Sequence, residues 1–472
     1  MPYPYNRPDA EGVAYIKSVT SPDRVKTGAD ITEDYFHDEM PEYGSFPPDL
    51  YVEAENTGEV SAVMKYGYEN NIPVVVRGAG TGLAGGATCK YGGIMLSLMR
   101  MNRIFPADRK NQTLTCEPGA LLSDVQRAAA AEGLFYPPDP GEKSASIGGT
   151  VITNAGGMKA VRYGLTRDYV RCMEAVLPDG SIVEFSSNVV KNTSGYDIKD
   201  LVIGSEGTLC ILTRVTLKLL PAPKYSCTLM LPFGELEACA DMVPRILDLP
   251  YMPTAIEFME REILEIVERT LNKRFPVPEG AAMLLVIYDA SSREELEAAC
   301  GAAGEAALEN GAIDCMVADT PERIAAVWGI RGALLDGLKA DSVSQEECDV
   351  VVPRSAIAQY VKAAKRIALS HGIRVEPCGH AGDGNIHTEM LRDPGMSDEE
   401  WKKATHASLT ELYALSKELG GQISGEHGIG NGRIEFLESF LGSRMIALFK
   451  SLKLAFDEKL VLNPGKIVEF NH

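Results

Sequence analysis

The stretch RGAGTGLAGGA, residues 77–87, follows the apolar run Ile72-Pro73-Val74-Val75-Val76 and carries five of the chain's 45 glycines. The run predicts a short buried strand, so the glycines stand where a strand releases the chain. Glycine lets backbone turn sharply and approach a ligand closely. A G-x-G-x-x-G dinucleotide fingerprint would next open a long helix. Leu83-Ala84-Gly85-Gly86-Ala87 is too glycine-rich for one. The loop instead predicts a nest of successive backbone N–H groups suited to phosphate oxygens.

Outward from this loop, glycine keeps recurring in patches. A usual frequency of about 7% would give roughly 33 glycines. Of the 45 present, 25 fall within 78–93, 141–164, 195–207, 379–384 and 420–432. Tight turns are the plain explanation of any one patch; five with polar signatures point to binding loops. The second holds Pro137-Pro138-Asp139-Pro140, Ser146-Ile147-Gly148-Gly149-Thr150 and Asn154-Ala155-Gly156-Gly157. Its two glycine pairs allow flat contact with a large ligand. The third, Gly204-Ser205-Glu206-Gly207-Thr208-Leu209, predicts either a buried turn facing a ring system or a glycine-rich hairpin.

Between the patches the texture is α+β. Helical spacing marks 9–18, 57–71 and 121–132, and short strands are expected at 93–97, 113–116, 171–177, 181–186 and 208–219. Pro221-Ala222-Pro223 marks a boundary. Beyond it, strand-like runs at 226–232, 253–259, 282–289 and 312–318 alternate with helical runs at 235–248, 260–272 and 293–310, a sandwich of helices on a sheet. Ser291 with Glu294 suits a capping box for the third of these helices, and Ser397 with Glu400 for a long one to about 419. Further helices are expected at 321–339, 354–371 and 440–457.

Composition narrows the partners. With 66 acidic and 46 basic residues the net charge is −20, which argues against nucleic acid or an anionic membrane surface. No run approaches 18 apolar residues, so no membrane span is expected. The ten cysteines form no CxxC, which speaks against an iron–sulfur cluster, a thiolate zinc site or a disulfide framework. Free thiols and the lack of a leader-like start at MPYPYNRPDAEG suit a cytoplasmic protein.

Taken in order, RGAGTGLAGGA, PPDP…SIGGTVITNAGG, SGYDIKDLVIGSEGTL, GHAGDGNIH, GGQISGEHGIG and NPGK closely resemble the vanillyl-alcohol-oxidase/PCMH-type FAD-linked oxidases and dehydrogenases. The branch they resemble contains D-lactate dehydrogenase, the glycolate oxidase catalytic subunit and D-2-hydroxyglutarate dehydrogenase. The resemblance spans about 40–468. It implies an α+β fold: an N-terminal helical segment (1–45), a two-part PCMH-type FAD-binding domain (46–221), an α+β cap or substrate domain (222–419) and a C-terminal segment (420–472) returning to the flavin. It further implies that Arg77, Gly78, Ala79, Gly80, Thr81 and Gly82 wrap the diphosphate. Pro138, Asp139, Ser146, Gly148, Gly149, Asn154, Gly157, Glu206, Thr208, Leu209 and Asn463 would line the rest of the FAD. Some relatives attach FAD through a histidine in the first loop; this loop has none, so non-covalent FAD is expected. Thr150 stands where many relatives have asparagine.

The fourth patch, Cys378-Gly379-His380-Ala381-Gly382-Asp383-Gly384-Asn385-Ile386-His387, has two histidines seven apart. In one regular strand they would face opposite sides. A glycine turn at 382–384 can bring both imidazoles to one point. In Ser424-Gly425-Glu426-His427-Gly428 the adjacent Glu426 and His427 diverge, so one can meet a metal and the other a substrate. The resemblance assigns His380, His387 and Glu426 as ligands of a divalent metal (zinc, or iron or manganese) and His427 as the base near flavin N5. It makes Arg331, in Trp328-Gly329-Ile330-Arg331, the arginine that binds the substrate carboxylate. Glu347 lies near where larger-substrate relatives have lysine, and Leu335 and Glu389 replace smaller or neutral polar residues.

The expected activity is therefore metal-assisted, FAD-dependent oxidation of a small D-2-hydroxy acid, D-lactate or glycolate, to the 2-oxo acid, with hydride passing to flavin N5. A D-2-hydroxyglutarate-type dehydrogenase is the alternative, disfavoured by the added acids. Electrons should leave to an external acceptor: an electron-transferring flavoprotein, an iron–sulfur subunit or a quinone. Two readings from other classes are a metal-dependent hydrolase with a phosphate-binding loop and a non-catalytic flavin-binding subunit. The intact histidine motifs favour catalysis.

Overall fold

The computed structural model describes residues 5–470. The chain divides into two compact units: residues 1–155, 165–222 and 427–472 form one, and 156–164 and 223–426 the other.

The first unit is built on two four-stranded sheets, beside a two-stranded pairing of Leu134–Phe135 with Leu220–Pro221. In one, Leu50–Glu53, Ile94–Ser97 and Val74–Arg77 run parallel, with Val25–Thr27 antiparallel at the edge. These strands are too short to bury much alone; Val60, Val63 and Met64 of the Thr57–Glu69 helix complete their core with Ile16, Val461 and Leu462. That helix starts where Asn56 accepts from the Glu59 N–H, a good N-cap. The other sheet orders Thr113–Cys116, Ile211–Lys218, Val170–Val176 and Ile182–Phe185, all antiparallel. Among the described residues before 46 there is one α-helix, Ala10–Val19, then short 3-10 turns and the Val25–Thr27 strand.

The second unit carries one antiparallel sheet of seven strands, in the order Met316–Ala318, Tyr225–Phe233, Ala282–Ala290, Ala255–Glu260, Arg374–His380, Asn385–Leu391, Gln345–Val351. One face packs Met259, Met283, Leu285 and Cys378 against Ile263, Val267, Val327, Ile330 and Leu338 from three helices. The last three strands hold charged side chains wholly inside, which the run Gln345-Glu346-Glu347-Cys348-Asp349 does not suggest by hydropathy. They were not anticipated as strands.

Three expectations need correction. The 321–339 helix is two, Pro321–Gly332 and Leu334–Asp341, broken at Ala333, whose ψ of 9° leaves the helical region. The cap of Arg293–Glu309 is Ser292, which accepts from Glu295 N–H, one residue beyond the expected pair; Glu295 in turn accepts from Ser291 N–H. The thiols are not all isolated: Cys227 and Cys300 stand sulfur to sulfur at a Cα separation of 7.9 Å, beyond the span of about 4.4–6.8 Å that a relaxed disulfide takes. Their sequence separation of 73 hides this from a motif search. No helix among the described residues is long and apolar enough to cross a membrane.

Candidate active site

In the first unit, three glycine segments and the tail are tied together. Gly78 leaves the Val74–Arg77 strand so close to Ser146 that an added Cβ would lie 2.1 Å from its Oγ. Ser146 caps the helix Ile147–Thr153, and Asn154 ends it in the left-handed conformation at φ 53°. The Glu206 N–H donates to Ile152 O at 2.7 Å, fastening the 204–209 turn to that helix. Asn463 fastens the tail: its Oδ1 accepts from Val76 N–H at 2.9 Å and its Nδ2 donates to Gly207 O at 2.8 Å. Residues 78–82, 146–154, 206–209 and 463 thus form one connected surface.

That surface fits the expected FAD. Among the described residues, none of the backbone N–H groups of 79–82 donates to a protein acceptor, as a phosphate nest requires. The Ser205 Oγ is buried without a partner; the 204–209 turn was expected to face the flavin, but Ser205 was not singled out.

Several candidate side chains serve the scaffold. The Arg77 guanidinium donates to His37 O at 2.8 Å and Asp34 O at 3.1 Å, so it binds the N-terminal segment. Pro138 O accepts from Gln126 Nε2, and Asp139 pairs with Lys143. Thr208 Oγ1 donates to Ser205 O, and Leu209 is buried. The Glu206 carboxylate accepts from the N–H groups of Ile429 and Gly430 at 2.7 and 2.6 Å. Asn431 and Gly432 N–H groups reach Ala84 O. The fifth glycine patch is therefore divided: its 428–432 part builds the first unit, and residues 420–426 belong to the second. Gly157 lies in the 156–164 segment of the second unit.

The second unit gathers His380, His387 and Glu426. Arg374–His380 and Asn385–Leu391 form a hairpin, with His380 opposite Asn385 and Cys378 opposite His387. The chain reverses, so both histidines reach the same face, 5.3 Å apart by ring centroids. The turn needs Gly384: φ is +89°, and a Cβ there would lie 2.1 Å from Val352 O.

Each imidazole is held from behind. His380 Nδ1 meets Glu257 Oε1 at 2.6 Å, and His387 Nδ1 meets Glu347 Oε1 at 2.7 Å. With Nδ1–H donating, each Nε2 is turned to Glu426 Oε1, at 3.3 Å from His380 and 3.5 Å from His387. One ligand atom from each of the three lies within 4.8 Å of the others. Two imidazole nitrogens and one carboxylate oxygen, each oriented by a supporting group, suit a divalent cation with open positions.

Burial alone would lower the pKa of His380, but Glu257 and Glu426 hold it well above the ordinary imidazole value. Burial likewise opposes, and Glu347 wins, at His387. Asp349 was missed by sequence reading: its Oδ2 accepts from Ser424 Oγ and the Gly425 and Glu426 N–H groups at 2.7, 3.0 and 3.0 Å. Glu257 was missed too. Its Oε2 accepts from Arg331 Nε and Nη2 at 3.0 and 2.7 Å. Neither residue belongs to a glycine motif, so no local signal marked them.

Glu347, Glu389 and Glu376 stand opposite one another on three adjacent strands. Burial, then Glu347, pushes Glu389 well above the ordinary carboxylate range. His427, one peptide bond past Glu426, opens the 427–472 run of the first unit.

Residues 222–467 match the family of FAD linked oxidases, C-terminal domain, and residues 48–186 the FAD binding domain family. The D-lactate dehydrogenase of Anaerostipes hadrus is 46% identical, over 98% of each chain. The glycolate oxidase subunit GlcD of Bacillus subtilis (strain 168) is 36% identical, over 92% of this chain and 91% of its own. The crystal structure of p-cresol methylhydroxylase with substrate bound superposes with a TM-score of 0.79 at 16% identity, covering 97% of this chain and 96% of the other, a likeness of fold.

Proposed function

The chain belongs to the FAD-linked oxidase family and has its two-part PCMH-type fold, and from that premise we propose that it oxidises a small D-2-hydroxy acid, D-lactate or glycolate, to the 2-oxo acid. The observation that carries this reading is the cluster of His380, His387 and Glu426, with Arg331 bonded to the carboxylate that also holds His380. When bound, FAD supplies the acceptor for the C2 hydride, and a divalent metal held by His380, His387 and Glu426 supplies a Lewis acid for the substrate hydroxyl.

The remaining work falls to side chains. Arg331 takes the substrate carboxylate with the end of its guanidinium, a geometry suited to two parallel hydrogen bonds. His427 accepts the hydroxyl proton at a ring nitrogen, the part of a positioned general base. Glu347 and Glu389 offer carboxyl groups and no cation to a second substrate carboxylate, which supports a monocarboxylic substrate over 2-hydroxyglutarate. The sequence offers no CxxC and no second dinucleotide motif. An external acceptor follows: an electron-transferring flavoprotein, an iron–sulfur subunit or a quinone.

The test is anaerobic bleaching of the purified yellow protein with a panel of D- and L-2-hydroxy acids. Bleaching by D-lactate or glycolate is expected, with 2-hydroxyglutarate slower. A colourless protein that hydrolyses phosphate esters, or a flavin that no 2-hydroxy acid reduces, would refute the proposal.

A further inference from the structure

We propose that Glu257 is a positioning residue that locks the substrate-binding arginine and a metal-ligating histidine into one arrangement. The inference rests on the roles given above to Arg331 and His380, and adds the group that holds the two in register.

Glu257 sits on the Ala255–Glu260 strand and is fully buried. A buried carboxylate must be paired and hydrogen-bonded, and here its two oxygens are divided between two partners. Oε1 takes His380 Nδ1 at 2.6 Å; Oε2 takes Arg331 Nε and Nη2 at 3.0 and 2.7 Å.

Each bond constrains one partner. The Oε1 contact makes Nδ1 the protonated nitrogen of His380 and leaves Nε2 for Glu426 and a metal. The Oε2 contact fills one edge of the guanidinium. Nη1 and the outer Nη2–H remain for a substrate carboxylate. Arg331 lies in the last turn of the Pro321–Gly332 helix, and Ile330 anchors that turn in the apolar core beside Met259 of the same strand as Glu257. A flexible arginine would otherwise sample several rotamers; the buried anion selects the one facing the histidine. A substrate whose carboxylate meets Arg331 then has its hydroxyl at a set distance from the metal ligands.

A purely structural ion pair between strand and helix would cost stability when broken but leave metal and substrate affinities alone. The experiment uses full-length, FAD-loaded protein with Glu257→Gln and Glu257→Asp. Zinc affinity is read by chelator competition, KM and kcat by flavin reduction with D-lactate, and folding by Tm and flavin content. Glu257→Gln should weaken zinc about 10- to 100-fold, the usual effect of losing a residue that orients a ligand, and raise KM more than it lowers kcat. Glu257→Asp keeps the charge but is too short to span both partners, and should not restore both affinities.

Zinc affinity and KM within two-fold of wild type in Glu257→Gln, or full rescue by Glu257→Asp, overturns the proposal. Should Glu257→Gln not fold, Arg331→Leu decides: Arg331 touches none of the three metal ligands, so a zinc affinity at least five-fold weaker supports the bridge and an unchanged one sinks it. Wild-type protein that binds no zinc and resists bleaching would instead refute the functional reading, together with this inference.

Discussion

Asp349 Oδ2 accepts the backbone N–H of Glu426 at 3.0 Å, and the same oxygen also takes Ser424 Oγ and Gly425 N–H. Asp349 is wholly buried, and its Oδ1 takes Asn385 Nδ2 at 2.7 Å. One carboxylate therefore fixes both the loop that delivers Glu426 and the start of the strand that delivers His387. An Asp349→Asn variant places an NH2 group against donors. It should lose about 1–3 kcal/mol of stability, the cost of unmet buried donors, and most of its metal. Denaturant unfolding and metal analysis check this; native metal content in the variant would show that the loop does not depend on Asp349.

His427→Ala removes the expected base but none of the proposed metal ligands. Flavin and metal should be retained, while the rate of flavin reduction by substrate falls about 10²- to 10⁴-fold, the usual worth of a positioned proton acceptor. Stopped-flow reduction of the anaerobic protein reads this directly. Reduction at the wild-type rate would remove His427 from the mechanism.

Lys453 is buried and donates to Asp457 Oδ2, Thr208 O and Leu462 O, each at 2.7–2.8 Å. It joins the Ser443–Phe456 helix to the 204–209 turn and the tail. Lys453→Met leaves Asp457 as an uncompensated buried charge, a change that typically costs about 3–5 kcal/mol. Weaker FAD retention should accompany the lower stability, read by flavin release on heating. A variant as stable as wild type would mean that Lys453 does not hold the tail.

Glu376 gives stability a pH dependence. Burial, opposed by Lys365 and Arg374 and aided by Glu262 and Glu260, pushes it up to about 7. A carboxyl whose folded pKa is raised contributes fully below its unfolded value of about 4.3 and loses that contribution as pH rises through the folded value. Stability from this group therefore falls between about pH 4.5 and 7. Glu376→Gln should match wild type near pH 4.5 and melt a few degrees higher at pH 8; about 1 kcal/mol moves Tm by about 2–4 °C in a domain of this size. Equal Tm values at both pH extremes would rule the effect out.

Much of the site was legible because glycine and histidine are locally informative. Gly78 and Gly384 announce a sharp turn and a close approach by residue type; His380 and His387 suggest a ligand site by residue type, and the family resemblance assigns it. The supporting carboxylates were not legible. Glu257 is 123 residues from His380, and Asp349 is 77 from Glu426. Only strand pairing brings them together, and a lone Glu or Asp in a sequence is most often a solvated surface charge. Glu347 illustrates the difference: read as a substrate-side acid, it also orients His387.

The sequence by itself determined the chemistry on offer: a glycine loop suited to phosphate, two histidines beside a glycine turn, an adjacent glutamate and histidine, and no cysteine motif to carry electrons away. These follow from short-range constraints, where backbone freedom and side-chain type act within about ten residues. Only the tertiary structure decided how that chemistry is held. The seven-stranded sheet sets Glu257, His380, His387, Glu347 and Asp349 in register, and a buried charge persists there only because another strand or helix supplies its partner. That pairing is a property of the folded sheet, so it could not be found in any single stretch of the chain.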